Sequence, residues 1–367
     1  MQTRKGYKTV LALTLAVAGA SVLAACSSSP TTTSGASSHV TINGSGSTAV
    51  KNLLDACIPD YQKATGNTVN YAGGGSGAGR TAFTAGTVDF AFSDAAYGSA
   101  ESQPAHFVHV PNVAFPVAIE YKLDGHKGTL DLGSTTVAGI FAGKITKWND
   151  ASIVADNKAA LAGATLPATP ITVWYRSDKS GTTGIVTNWL SAVAPSIWNK
   201  PGSGGNQTFT SAFPGQIPAG SFQGANGSAG VSNGVASKDG SIGYAEVSYA
   251  GERNLGIVSV QNGAGEFVQP NSLAATAFLN DLTVGSLGTV KVNPLTTASG
   301  AYPISSFSYG LGYTAGDGKD SVKQAAVKDF FTYILGTCAT NHAVNKGYVP
   351  VVGKLADIAK KNIVAIR

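Results

Sequence analysis

Three times along this chain a short apolar run ends in a turn of Gly, Ser and Thr and is followed by apolar residues at helical spacing. The turns are Gly44 to Thr48, Gly73 to Arg80 and Arg176 to Thr182. Strand, tight turn and helix, with the same alternation continuing through the middle of the chain, restrict the fold to the α/β class. In open α/β sheets ligands sit at the carboxyl ends of the strands, which is where all three turns fall.

The third turn carries the most chemistry. Trp174-Tyr-Arg-Ser-Asp-Lys-Ser-Gly-Thr-Thr183 places a guanidinium, a carboxylate and a run of hydroxyl and amide donors ahead of Ile185, Val186, Trp189 and Leu190. A helix start presents unpaired N–H groups and the positive end of the macrodipole. Arg176 adds a planar fork for two oxygens of one anion, and Ser180 and Thr182 add hydroxyls. Together they make a cradle for an oxyanion, although Ser, Thr and Asp are also ordinary helix caps. Asp94 closes the apolar run Val88 to Phe92 and either caps a helix from Ala95 or faces a ligand.

Several alternatives fail on composition or spacing. Gly44, Gly46 and Ala49 fit a relaxed dinucleotide fingerprint, but no acidic residue follows the next strand to hold a ribose. Gly143-Lys144 is followed by Ile145 where a phosphate loop needs a hydroxyl. His106 and His109 lack ligand partners at metal spacing, so no metal and no cofactor are expected. The formal charge of +5 is scattered rather than clustered, which argues against a nucleic-acid partner.

Residues 1–26 have a basic start and an apolar run, the pattern of a secretory signal. The run ends Leu-Ala-Ala-Cys26, which resembles the bacterial lipobox, so Cys26 is expected to be lipidated and to anchor the protein to the outer face of a membrane or in the periplasm. Residues 27–38 read as a flexible tether. Cys57 and Cys338 are an even pair in an oxidising compartment; they either form a disulfide between the first helix and the last or lie buried as separate thiols. Further along, Asn112 to Tyr121 and Tyr302 to Tyr313 read as long strands. The clearest amphipathic helix spans Val322 to Leu335, with Val322, Ala325, Val327, Phe330, Phe331 and Ile334 as its apolar face. Residues 201–224, rich in Gly, Pro and Ser, have no evident assignment.

The segments Gly44-Ser-Gly-Ser-Thr48, Gly75-Ser76-Gly77, Ser93-Asp94, Gly143 to Asp150, Arg176-Ser-Asp-Lys-Ser-Gly-Thr182, Gly240 to Tyr244 and Tyr302-Pro-Ile304 occur in one order from about residue 40 to 350. In this the chain resembles the phosphate-binding proteins (PstS type) of bacterial phosphate ABC transporters. The resemblance implies a two-lobe periplasmic-binding-protein-like fold (type II) with two crossover strands and a ligand cleft between the lobes. Residues 39–116 and 300–367 would form lobe I, and residues 117–299 lobe II.

The same resemblance implies that inorganic phosphate is bound by Thr48, Ala49, Ser76, Asp94, Arg176, Ser180, Gly181 and Thr182, with Asp178 supporting Arg176. The family often has Phe where this chain has Ala49, so the backbone donor is kept and the cover of a ring is lost. A binding protein of this type is not an enzyme; it acts as a monomer and passes its anion to ABC transporter permease subunits driven by their ATPase. Receptors for sulfate, molybdate or a phosphonate share this architecture. An envelope phosphatase would need a metal cluster, or a base beside a nucleophile, that the sequence does not offer.

Overall fold

The computed structural model describes residues 39–367 apart from Ser99, Lys127, Gly128, Ser203, Ser286 and Leu287. The expected signal, tether and lipidation residue Cys26 lie outside the described residues. The sheet that organises the chain runs in the order Thr68–Ala72, Thr41–Gly46, Phe90–Ser93, Ser305–Tyr313, Phe107–Lys122, Ser241–Glu246, Thr172–Arg176, Phe222–Ala225. The first three strands are mutually parallel, as are the last three, and the two groups are joined through the antiparallel strands Ser305–Tyr313 and Phe107–Lys122.

The strand Phe107–Lys122 serves both groups. Up to Pro116 it pairs with Ser305–Tyr313, and from Val117 it pairs with Ser241–Glu246. It starts before the Asn112 expected from sequence, because Pro111 reads as a breaker yet sits beside a register shift. Proline lacks a ladder donor and is tolerated in a sheet mainly at edges and bulges. Pro116 likewise stands where the strand changes partner. The other long strand begins at Ser305 rather than Tyr302, whose buried ring instead sends its hydroxyl to the Val117 carbonyl at 2.8 Å.

Helix Lys51–Thr65 follows the first turn and buries Leu53, Leu54, Cys57 and Tyr61. Cys57 is bonded to Cys338. Cys338 lies in the π-helical stretch Ile334–Ala343, which continues helix Ser321–Tyr333, and the final helix Gly353–Val364 comes later. The bridge therefore joins the first helix to a stretch before the last one.

The amphipathic face of Ser321–Tyr333 also differs from expectation. Val322 is 56% exposed and Ala325 is exposed, whereas Gln324 and Ala326 are buried. Phe330 and Phe331 pack against Phe90, which fixes the rotation of the helix. Gln324 is tolerated inside because its amide donates to the Asp89 carbonyl at 3.2 Å. Residues 201–224 contain helix Phe209–Ala212 and the start of strand Phe222–Ala225. Phe209, Phe213 and Phe222 pack there against one another and Trp198.

Candidate functional site

Four helix starts meet at one buried locus. Thr48 precedes helix Lys51–Thr65, Ser76 opens Ser76–Thr84, Ser180 caps Gly181–Val193, and Ser228 is the second residue of Gly227–Ser237. Thr48, Ser76, Asp94, Arg176, Ser180, Thr182 and Ser228 are all buried. Polar groups this deep are stable only when they satisfy one another or a ligand.

Arg176 ends strand Thr172–Arg176 and is 2% exposed. Its Nε donates to Asp178 Oδ1 at 2.7 Å and its Nη2 to Asp178 Oδ2 at 2.5 Å, a two-point pair that fixes the plane of the guanidinium. Nη1 donates to Ser228 Oγ at 3.3 Å, and the Arg176 amide donates to Tyr244 Oη at 3.2 Å. Burial pushes the Asp178 carboxyl up, but the Arg176 guanidinium and the Gly227 amide outweigh it and hold the group below the usual carboxylate range. Asp178 thus offsets the buried charge of Arg176, and further attraction for an anion comes from hydroxyls, amides and helix dipoles.

Asp94 faces those donors. Its Oδ2 lies 3.4 Å from Ser76 Oγ and 3.3 Å from Thr182 Oγ1, and its amide donates to Ser76 Oγ at 3.1 Å. Oδ1 is buried without a hydrogen-bond partner. Burial pushes this carboxyl above the usual range, while the hydroxyls of Ser47, Ser308 and Thr182 and the charge of Arg176 pull it down. No helix follows it among the described residues before strand Phe107–Lys122, so Asp94 is not the cap of a helix from Ala95.

Two glycines let the walls approach. A Cβ on Gly181 would lie 2.7 Å from both Asp94 Cβ and Ser76 Oγ. Gly75, at φ +91°, would put a Cβ 2.3 Å from Asp178 Oδ2. The Ala49 amide donates to Ser47 Oγ at 3.0 Å, forming a local Ser turn. Ser180 Oγ is likewise engaged, accepting from the Thr183 amide at 3.1 Å as a helix cap.

Around this locus Arg80 donates to Ser93, Glu101 and Gln207, and Lys179 pairs with Glu101. Burial raises the Glu101 carboxyl, but those two cations bring it down to about 2.

Ser228, Gln207 and Tyr244 are not among the site residues expected from the sequence, although Tyr244 ends the segment Gly240 to Tyr244 that carries part of the resemblance. The signal for Ser228 was a fourth turn of the same kind, Ala225-Asn-Gly-Ser228 between a strand and a helix. Among the described residues no group of three His, Cys, Asp or Glu side chains could hold a metal, and no helix is long and apolar enough to cross a membrane.

A PBP superfamily domain model matches residues 28–337. The chain is 36% identical over 298 residues to the phosphate-binding protein PstS of Xylella fastidiosa, covering 80% of this chain and 77% of that one. It is 34% identical over 304 residues to the phosphate-binding protein PstS of Haemophilus influenzae, covering 82% and 85%.

Among solved structures, a high affinity periplasmic phosphate-binding protein bound with phosphate is similar at a TM-score of 0.66 and 25% identity, over 87% of this chain and 93% of that one. A phosphate binding protein from Stenotrophomonas maltophilia, at a TM-score of 0.64 and 22% identity over 88% and 93%, shows the same fold. The α/β architecture, the buried donors and these relatives agree, and the chain belongs to the PstS family of phosphate-binding proteins within the PBP superfamily.

Proposed function

We propose that this protein binds inorganic phosphate outside the cytoplasmic membrane and delivers it to a phosphate ABC transporter. The observation that carries the reading is the buried Asp94 carboxyl among Ser76, Thr182 and Arg176. A carboxylate repels a fully ionised anion, but it accepts the proton that hydrogen phosphate still carries at neutral pH and sulfate does not. A site that leaves a buried polar group unmatched rejects the wrong ligand by factors of about 10⁴. Thr48, Ser76, Arg176, Ser180, Gly181 and Thr182 supply the donors, and Asp178 holds the guanidinium. The Ala49 amide joins them only by exchanging Ser47 for the anion.

Residues 39–116 with 300–367 form one lobe in this reading, and residues 117–299 the other. The change of partner along Phe107–Lys122 after Pro116 supports that boundary. Opening and closing of the lobes would load the anion and release it to permease subunits driven by their ATPase. A lipid on Cys26 would keep the monomeric receptor at the membrane. Calorimetric titration with phosphate, sulfate and arsenate tests the ligand. Tight binding of phosphate with no heat from sulfate is expected, and equal binding of sulfate would overturn the reading.

A further inference from the structure

Ser228 sits where two walls of the buried locus meet. Its Oγ lies 2.9 Å from Thr48 Oγ1, its amide donates to Thr48 Oγ1 at 3.1 Å, and it accepts from Arg176 Nη1 at 3.3 Å. Residues 180 positions apart in the chain are thereby joined through one buried hydroxyl pair. Tyr249 reinforces the contact by donating to the Thr48 carbonyl at 2.6 Å.

Counting protons limits what this pair can do. A hydroxyl has one proton and two lone pairs. Thr48 Oγ1 already accepts the Ser228 amide, and Ser228 Oγ already accepts from the guanidinium. Only one proton can lie between the two oxygens, so the second is left for a group beyond the pair. The positive guanidinium on Ser228 Oγ makes that hydroxyl the better donor, so it gives its proton to Thr48 and leaves the Thr48 proton to point outward.

We propose that Ser228 is a positioning residue for the anion: it relays the charge of Arg176 to Thr48 and turns the Thr48 proton toward the ligand. The inference rests on the reading that the ligand is inorganic phosphate. It also makes the Arg176 wall and the Thr48 wall a single unit, so that closing one onto the anion requires the other.

The test is calorimetric titration of inorganic phosphate into the purified protein and its Ser228→Ala, Thr48→Val, doubly substituted and Ser228→Thr forms, with ligand-free melting temperatures as a control. Ser228→Ala and Thr48→Val are each expected to weaken phosphate binding at least about tenfold, the range set by an unmatched buried hydrogen bond. The double variant should be no more than about threefold weaker than the weaker single one, because either change breaks the same relay. Ser228→Thr, which keeps the hydroxyl, should stay within about threefold of the parent.

A residue that merely packs would give losses that multiply and no rescue by Thr. If the Ala variant does not fold, Ser228→Cys removes the strong donor at similar volume and should show the same tenfold loss. Affinity within twofold of the parent for the Ala or Cys form, or multiplicative losses in the double variant, overturns the inference. Failure of the parent itself to bind phosphate overturns the ligand reading and the inference together, a distinct result.

Discussion

Gly181→Ala probes the closeness of the two walls with the smallest possible addition. The new Cβ would stand 2.7 Å from Asp94 Cβ and from Ser76 Oγ, about 0.7 Å short of ordinary contact. Neither neighbour can step aside easily, since Asp94 and Ser76 are buried and bonded to each other. The helix start must therefore withdraw. A retreat of that size takes Thr182 Oγ1 from 3.3 Å to about 4 Å from Asp94 Oδ2, beyond hydrogen-bond range.

Overpacking of this kind costs about 1–3 kcal/mol, which as a loss of binding is about 5- to 150-fold in Kd. In the proposed two-lobe reading, separating the lobes relieves the overlap, so the loss should appear in phosphate titration far more than in the ligand-free melting temperature. A Kd within twofold of the parent would refute the close approach of Gly181 and Asp94 as part of the binding geometry, and a matching drop in ligand-free stability would refute its assignment to closure.

Two further predictions concern stability. Burial pushes the Glu246 carboxyl up to about 8, against hydrogen bonds from Ser248. The folded state thus holds a proton that the unfolded chain releases, and this contribution is full below about pH 4.5 and is lost as pH rises through about 8. Stability of the ligand-free protein should fall between these limits at up to about 1.4 kcal/mol per pH unit from this group, and Glu120, raised to about 7, adds to the same trend. Glu246→Gln should flatten the decline in melting temperature between pH 5 and 8, and an unchanged slope would contradict the assignment. Replacing Cys57 and Cys338 together with Ser should cost about 2–5 kcal/mol in urea unfolding, since their bond closes a long loop. Phosphate affinity should hold, and an unmoved urea midpoint would show that the bond contributes nothing.

The parts of this molecule that could be read from the sequence were those encoded locally. Arg176 and Asp178 are two residues apart on one turn, so their pairing needed no knowledge of the fold. The helix Lys51–Thr65 shows its buried face in simple spacing. What could not be read depends on distant partners. Ser228 is one small residue among many until Thr48 and Arg176 are brought against it. Gln207 lies in a stretch without periodicity, and it matters only because its carbonyl receives the Ser180 amide and its side chain receives Arg80. Hydropathy placed Val322 inside and could not place Gln324 there, because the Asp89 carbonyl that satisfies Gln324 is a long-range neighbour. The Ala49 amide shows the converse, a local Ser turn competing with the role implied by resemblance.

The role of Asp94 is the claim on which selectivity depends, and titrating Asp94→Asn with phosphate and with sulfate tests it most directly. An amide oxygen is only a neutral, weaker acceptor for the hydrogen of hydrogen phosphate, whereas the amide NH2 can donate to an oxygen of either anion. Phosphate should therefore bind more weakly than to the parent, and sulfate should gain measurable affinity. Unchanged phosphate binding with sulfate still excluded would contradict the account.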